Sequence, residues 1–439
     1  MIETAEMNAE KINNQTVPVT VVLVGAGNRT NIYSMYADEH PENLQIVGVV
    51  DPDKIRRNKV ANKFNVPDEY CFDSIETFAN TPKFADAVIN GTMDEIHVQT
   101  TIPILKAGYD VLLEKPIGTS EKEIMELSNV ASYYNRKVMI CHVLRYAPFY
   151  KEIKRRVLDY DIGEIINIQT AENVSYDHMA VSFVRGKWNS KEKCKSSMLL
   201  AKCCHDLDII TWLMSGIKPN RVSSFGGLMH FRPEKAPEGA GKRCLVDCKI
   251  ENECPYSAQK NYIEQGKWGW YAWRSIQHLG SEPTVEQKIE SLKTDNPYGR
   301  CVWHSDNDVV DHQSVAIEFE NGTTATHNLM GGSAKPCRNI HIIGTKGEIQ
   351  GCMEDGYFVV RYPDARKGFT FREERVELNV SHDMHGGGDL RLVEDFVNVL
   401  QGNEPSISTT SLEDSINGHL IVFAADRANE ENRVINLNE

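Results

Sequence analysis

A short apolar run with β-branched residues, 19–24, breaks at Gly25-Ala26-Gly27-Asn28-Arg29-Thr30 and passes into a helical pattern over 31–39. Few folds accept that order. Gly25 and Gly27 stand where the chain must turn tightly from strand to helix, and where backbone must come within contact distance of a ligand. The helix start then offers N–H groups to a pyrophosphate. The alternation continues: strands over 45–50, 87–89, 111–113 and 137–141 alternate with helices over 54–64, 96–107 and 121–135, the last with Ser120 as N-cap. Such a series predicts a parallel sheet with right-handed crossovers. The first domain is therefore expected to be a Rossmann dinucleotide-binding domain over 17–145.

From 146 to 439 the pattern changes. Runs at 165–172, 315–320, 323–329 and 340–343 alternate apolar and polar residues, and Glu320-Asn321-Gly322 is a hairpin-type turn. The expectation is an α/β domain with a large open, mostly antiparallel sheet. Helices over 389–400 and 412–429, with apolar positions such as Leu390, Val393, Val397 and Leu400, should cover a sheet. Residues 232–300 are rich in Pro, Gly, Lys, Glu and Trp with little periodicity, and read as an insertion that builds little core of its own.

Composition narrows the partners. With 48 Lys+Arg against 62 Asp+Glu the net charge is −14, without the basic field that phosphate backbones or anionic membranes require. Nucleic acid and membrane are not expected partners. Residues 1–16 are polar, with nothing like a signal peptide, and no run reaches the about 18 apolar residues of a membrane span. A cytoplasmic protein with a frayed N-terminus is expected. Eleven cysteines, including the adjacent Cys203 and Cys204, suit free thiols better than a disulfide framework.

Asp51 closes the second strand 21 residues after Thr30, where a carboxylate can accept both ribose hydroxyls and would repel a 2′-phosphate. NAD is thereby favoured, while Arg56 and Arg57 keep NADP open. Thr30 replaces a third glycine, and is expected to loosen helix–strand packing slightly. Lys115, within Glu114-Lys115-Pro116, follows the strand over 111–113 at the carboxyl edge where doubly wound sheets bind ligands. Pro116 restricts the residue before it and admits a cis bond. An ammonium beside a cationic nicotinamide has its charged form disfavoured, so its pKa moves toward a range useful for proton transfer. A surface lysine paired with Glu114 is the plain alternative.

Together, Gly25-x-Gly27-x-x-Thr30, Asp51-Pro52-Asp53, Thr92 with His97, Ala107-Gly108, Glu114-Lys115-Pro116 and Arg145 resemble the Gfo/Idh/MocA oxidoreductases, from about residue 19 to the end. The resemblance implies NAD or NADP in the first domain, and a second domain that covers the nicotinamide and binds a sugar or cyclitol. It places Asn28, Arg29, Thr92, His97, Glu114, Arg145 and Trp188 with the glycine turn and Asp51 around the cofactor. It also implies a homodimer or homotetramer paired through the open sheet.

The family's second signature, Asp-x-x-x-His-x-x-Asp, meets Ala201-Lys202-Cys203-Cys204-His205-Asp206-Leu207-Asp208, so His205 and Asp208 are kept and the first aspartate is Ala201. On a helix over 198–214, Lys202 and His205 share a face, and Lys202 is expected to bring a second cation to the substrate. Tyr146 and His385 complete the expected substrate set. In His385-Gly386-Gly387-Gly388-Asp389 the glycines let a ligand approach backbone, and Asp389 can cap the helix that follows.

Cys244, Cys248, Cys254 and Cys301, or His304 in place of the last, offer a donor set suited to a structural zinc, although their spacing is irregular. Three functions fit the whole: a dehydrogenase in which Lys115, His205 and Lys202 handle a substrate hydroxyl, a glycosidase that uses NAD transiently, and a non-catalytic dinucleotide-binding protein.

Overall fold

The structure, a computed structural model, describes residues 17–280, 283–379 and 385–438. The stretch 1–16, read above as frayed, lies outside the described residues. Strands β1 (Val19–Val24), β2 (Leu44–Val50), β3 (Cys71–Phe72), β4 (Ala87–Asn90), β5 (Asp110–Leu113) and β6 (Val138–Ile140) form a parallel sheet in the order β3-β2-β1-β4-β5-β6. The order reverses between β1 and β4, so the crevice above their carboxyl ends is where a ligand fits this topology. β1 reads as an unbroken apolar run because both its faces are covered. Val22 and Val24 pack with Phe78 and Ile104 on one side, and Val21 and Leu23 with Tyr33 and Phe396 on the other.

The predicted elements are present, with boundaries moved by a few residues. β3 and the short helix Ile75–Ala79 escape periodicity because they are too short to show one; Phe72 is fixed instead by rings, 5.5 Å from Phe78. The helix expected over 31–39 begins at Asn28 and is interrupted at Ser34, giving Asn28–Tyr33 and Met35–Glu39. Local side chains compete with its backbone there: Asn31 Nδ2 donates to Gly27 O and Ser34 Oγ to Asn31 O.

The second sheet has nine strands: β7 (Ile165–Ser175), β8 (Pro219–Gly227), β9 (His312–Phe319), β10 (Thr324–Ser333), β11 (Cys337–Gly344), β12 (Glu348–Cys352), β13 (Tyr357–Pro363), β14 (Phe371–Glu377) and β15 (Ile435–Asn436). Their order is β14-β13-β12-β11-β7-β10-β9-β8-β15, and only β7 with β10 is parallel. The 320–322 turn joins β9 to β10, with Gly322 at φ +85° and Asn321 Oδ1 accepting from Thr323 N. Helices Met198–Leu213 and Leu412–Glu431 cover one face of this sheet. Gly388–Leu400 does cover a sheet, but the first one: Leu392, Val393, Phe396 and Val397 join the core of Val21 and Leu23. The insertion builds more core than its composition suggests, with Cys244, Ala258, Tyr262, Ala272, Leu292 and Tyr298 packed around Val181.

Thr30 does not loosen the glycine turn. It is fully buried, Oγ1 donates to Gly25 O at 2.5 Å, and its methyl meets Gly91, where a Cβ would lie 2.6 Å away. The missing small residue has moved across the interface to Gly91. Gly25 is required in turn, at φ +79° and with a Cβ position 2.9 Å from Gly91 O. Gly91→Ala is therefore expected to lower unfolding free energy by about 1–3 kcal/mol. Adding Thr30→Ser, which keeps the hydroxyl and deletes the methyl, should recover part of that loss in a denaturant titration.

Candidate cofactor and active site

Arg29, on the first turn after the glycines, ties three segments together. Its Nε donates to Glu114 Oε1 at 2.6 Å, and its Nη2 to Asp389 Oδ1 at 2.5 Å and Tyr33 OH at 2.5 Å. Tyr33 in turn donates to Glu114 Oε1, and Lys115 N to Glu114 Oε2. Burial alone would raise the Glu114 carboxyl, but Arg29 and Lys115 hold it below its ordinary range. Burial likewise opposes the charge on Asp389, which His385 and Arg29 restore. Asp389 thus ties two loops and does not cap its helix; Gly387 is the N-cap. Tyr33 was not singled out in the sequence, although its position four residues after Arg29 on a helix was the available clue.

Lys115 stands at the end of β5, followed by a cis bond to Pro116, and its Nζ donates to Ala201 O at 2.7 Å. It is partly exposed. The loop is held from two sides. His97 lies with Nδ1 2.6 Å from Pro116 O and Nε2 3.1 Å from Thr92 O, and is almost fully buried, so it braces the loop. His419 accepts from Ile117 N at 3.0 Å. Thr92 bonds Asn90 Oδ1 through both its N–H and its hydroxyl.

The helix Met198–Leu213 carries Ala201, Lys202, His205 and Asp208 and is buried on all sides except at Lys202. The expected carboxylate at 201 is replaced by a backbone carbonyl that faces Lys115. His205 Nδ1 is buried without a hydrogen-bond partner among the described residues. Burial, then Lys115, His385 and His142, hold this imidazole well below its usual range, and therefore neutral. Its ring centroid lies 5.7 Å from those of both His142 and His385. Lys202 is not the free second cation expected: its ammonium lies 3.2 Å from buried Glu172, which also pairs with Arg338.

Several expected site residues are engaged by protein partners. Arg145 is fully buried and bidentate to Asp208 at 2.6 and 2.7 Å, which fixes the end of the first domain to the second-domain helix. Tyr146 donates to Asp395 at 2.8 Å inside the first core. Trp188 does reach the crevice edge, donating to Asp94 at 3.0 Å. Asp51 is buried and already accepts from Ala26 N, Asp53 N and Arg56, so Arg56 offsets the charge expected to exclude a 2′-phosphate. Asn28 is exposed at the turn, and a Cβ on Gly27 would meet nothing within 4 Å. Space is left where a dinucleotide phosphate fits, and the turn suits the group.

The zinc expectation fails. No three of Cys244, Cys248, Cys254, Cys301 and His304 bring ligand atoms within 4.8 Å of one another, and Cys244 accepts instead from buried Arg185. Among the described residues the one such group is Cys203, Asp206 and His327, beneath the helix and beside Arg338. All eleven cysteines are unpaired. No described helix is long and apolar enough to cross a membrane.

The buried imidazoles set a pH dependence. Burial pushes His419 down to about 3 and His327 to about 4, against an ordinary value of 6.5. Between those limits the unfolded chain binds protons that the folded chain refuses, so stability is full above 6.5 and falls with acidification. The melting temperature should drop from pH 7 to pH 5. His419→Gln, whose amide oxygen can still accept from Ile117 N, should show a shallower drop; an unchanged slope would remove His419 from the account.

Two family descriptions match the chain: the NAD-binding Rossmann fold of the Gfo/Idh/MocA oxidoreductase family over residues 19–142, and that family's C-terminal alpha/beta domain over 154–437. A putative oxidoreductase, YteT, of Bacillus subtilis is 24% identical over 398 residues, 85% of this chain and 88% of that protein. The fold is shared with an oxidoreductase from Agrobacterium radiobacter in complex with NAD+, L-tartaric acid and magnesium, at TM-score 0.65 and 13% identity over 96% of this chain and 98% of that one. It is shared also with apo scyllo-inositol dehydrogenase from Lactobacillus casei, at TM-score 0.63 and 16% identity over 96% and 99%. The chain belongs to the Gfo/Idh/MocA family and is an NAD(P)-dependent oxidoreductase of that type.

Proposed function

We propose that this chain oxidises a secondary hydroxyl of a sugar, sugar derivative or cyclitol, with Lys115 and His205 handling the proton. The observation that carries this reading is the 2.7 Å bond from Lys115 Nζ to Ala201 O. It sets an ammonium from the first domain one helical turn before an imidazole from the second. The chemistry a bound nicotinamide supplies is acceptance of the hydride at its ring carbon. Gly25, Gly27, Asn28 and the edge formed by Asp51, Thr92 and Trp188 would hold that cofactor, with Arg29 and Glu114 behind them.

His205 is suited to take the hydroxyl proton because it is neutral and Nδ1 has no competing partner among the described residues. Lys115 stabilises the developing alkoxide, and in a partly dehydrated cup its charge acts more strongly than in water. His385, held by Asp389 at 3.0 Å, borders the same space and is assigned to the substrate. Lys202 acts through Glu172 and is assigned a positioning role. The inositol named for the Lactobacillus casei protein supports a polyol or sugar class. Asp51 favours NAD, and Arg56 leaves NADP open.

A second reading has one observation of its own. Two imidazoles, His205 and His385, stand with ring centroids 5.7 Å apart, enough for one base at a hydroxyl and another at a carbon. That arrangement suits a redox-neutral glycoside cleavage in which the hydride returns to product.

Lys115→Met is expected to reduce turnover by about a thousandfold while NAD affinity stays near wild type. Stopped-flow NADH formation with calorimetric NAD binding measures both. A variant that turns over at the wild-type rate would refute the role of Lys115. Aryl glycoside cleavage without net NADH would instead favour the second reading.

A further inference from the structure

The insertion contains three of the six tryptophans, Trp268, Trp270 and Trp273, on a segment with little periodicity. Trp268 stacks on His178, centroids 4.6 Å apart and planes 24° off parallel. The stack is built: Trp268 Nε1 donates to Asp177 Oδ2 at 3.4 Å, Lys267 pairs with the same oxygen, and Asp177 Oδ1 accepts from Ser175 Oγ and His178 N. Trp268 also holds a left-handed backbone, φ +56°, which a bulky residue adopts only where its surroundings impose it.

The position of the stack is the informative point. His178 follows β7, the strand whose Glu172 binds Lys202. Burial pushes the His178 imidazole well down, helped by the charges of Lys202, Arg338, His385 and Lys115. From Trp268 the aromatic row runs through Tyr271, 6.3 Å away, to Trp188, a further 6.3 Å, which bonds Asp94 at the crevice edge. Both stacked rings remain partly exposed. Trp268 packs only in part against the insertion core.

We propose that Trp268 and His178 form the specificity-determining wall of the substrate cup, Trp268 offering an aromatic face to the C–H face of a pyranose or cyclitol ring and His178 a hydrogen bond to one of its hydroxyls. This rests on the reading of Lys115 and His205 as the reacting centre. An aromatic side chain with an apolar face beside polar groups suits a ligand that is itself amphipathic in this way. The insertion, which supplies no cofactor contact named above, thereby sets which ring is accepted.

The test uses the full chain saturated with NAD. Saturation-transfer NMR against myo-inositol and the methyl pyranosides of glucose, galactose and N-acetylglucosamine reads binding, and NADH absorbance on the same samples reads turnover. At least one ring should bind wild type through its C–H protons. Trp268→Leu should weaken that ligand about tenfold, and Trp268→Phe about twofold, with NAD affinity unchanged. His178→Asn should raise KM more than it lowers kcat. The wall is overturned if no ring of the panel binds wild type, or if Trp268→Leu binds as wild type does. A ring that binds through Trp268 yet never reduces NAD would sink the reaction alone, and NAD reduction indifferent to Trp268→Leu would sink the wall alone.

Discussion

One cation holds the two halves of this site in register. Arg29 is bonded to Glu114, Asp389 and Tyr33, so the glycine turn, the Lys115 loop and the start of the helix Gly388–Leu400 share a single guanidinium. A partly buried charge of this kind is costly to dehydrate, and loss of one partner leaves the others uncompensated. The geometry is therefore strongly specified, because a small slip of any segment breaks several charged bonds at once. Glu114, fixed by Arg29, accepts from Lys115 N, and so the direction of the lysine side chain depends on a residue of the nucleotide turn.

The second-domain helix shows the same logic from the other side. Met198–Leu213 is buried nearly all round, and Asp208 is matched by Arg145 and Lys202 by Glu172, while Asp206 lies 3.4 Å from Arg338 with its Oδ2 unbonded among the described residues. His205 Nδ1 is likewise unmatched among the described residues. His97, equally buried, instead has carbonyls at both nitrogens.

Elements and the nucleotide turn were legible in the sequence because their information is local. Valine and isoleucine runs, the glycines and the Glu-Lys-Pro triplet lie within a few residues of the structure they specify. Partners across the chain carry no such mark. Arg145 and Tyr146 were read as ligand groups because they resemble the family's Arg-aromatic pair near the nicotinamide, while Asp208 and Asp395, which bond them, lie 63 and 249 positions away. Four insertion cysteines looked like a donor set, yet composition holds no information on where thiols point, and Cys244 accepts from Arg185. His178 and Trp268 were passed over for the same reason: each is ordinary until the other is seen stacked on it.

The replacement at Ala201 changes the electrostatics more than the geometry. A carboxylate there would neutralise Lys115, whereas a backbone carbonyl orients the ammonium through a dipole and leaves its net charge in place. In the proposed reaction that full charge faces the alkoxide, and it also disfavours protonation of His205 nearby. Loss of one acidic side chain thus acts in two ways at once, making the cation a better electrostatic partner for the substrate oxygen and keeping the neighbouring base free of its proton until a hydroxyl arrives.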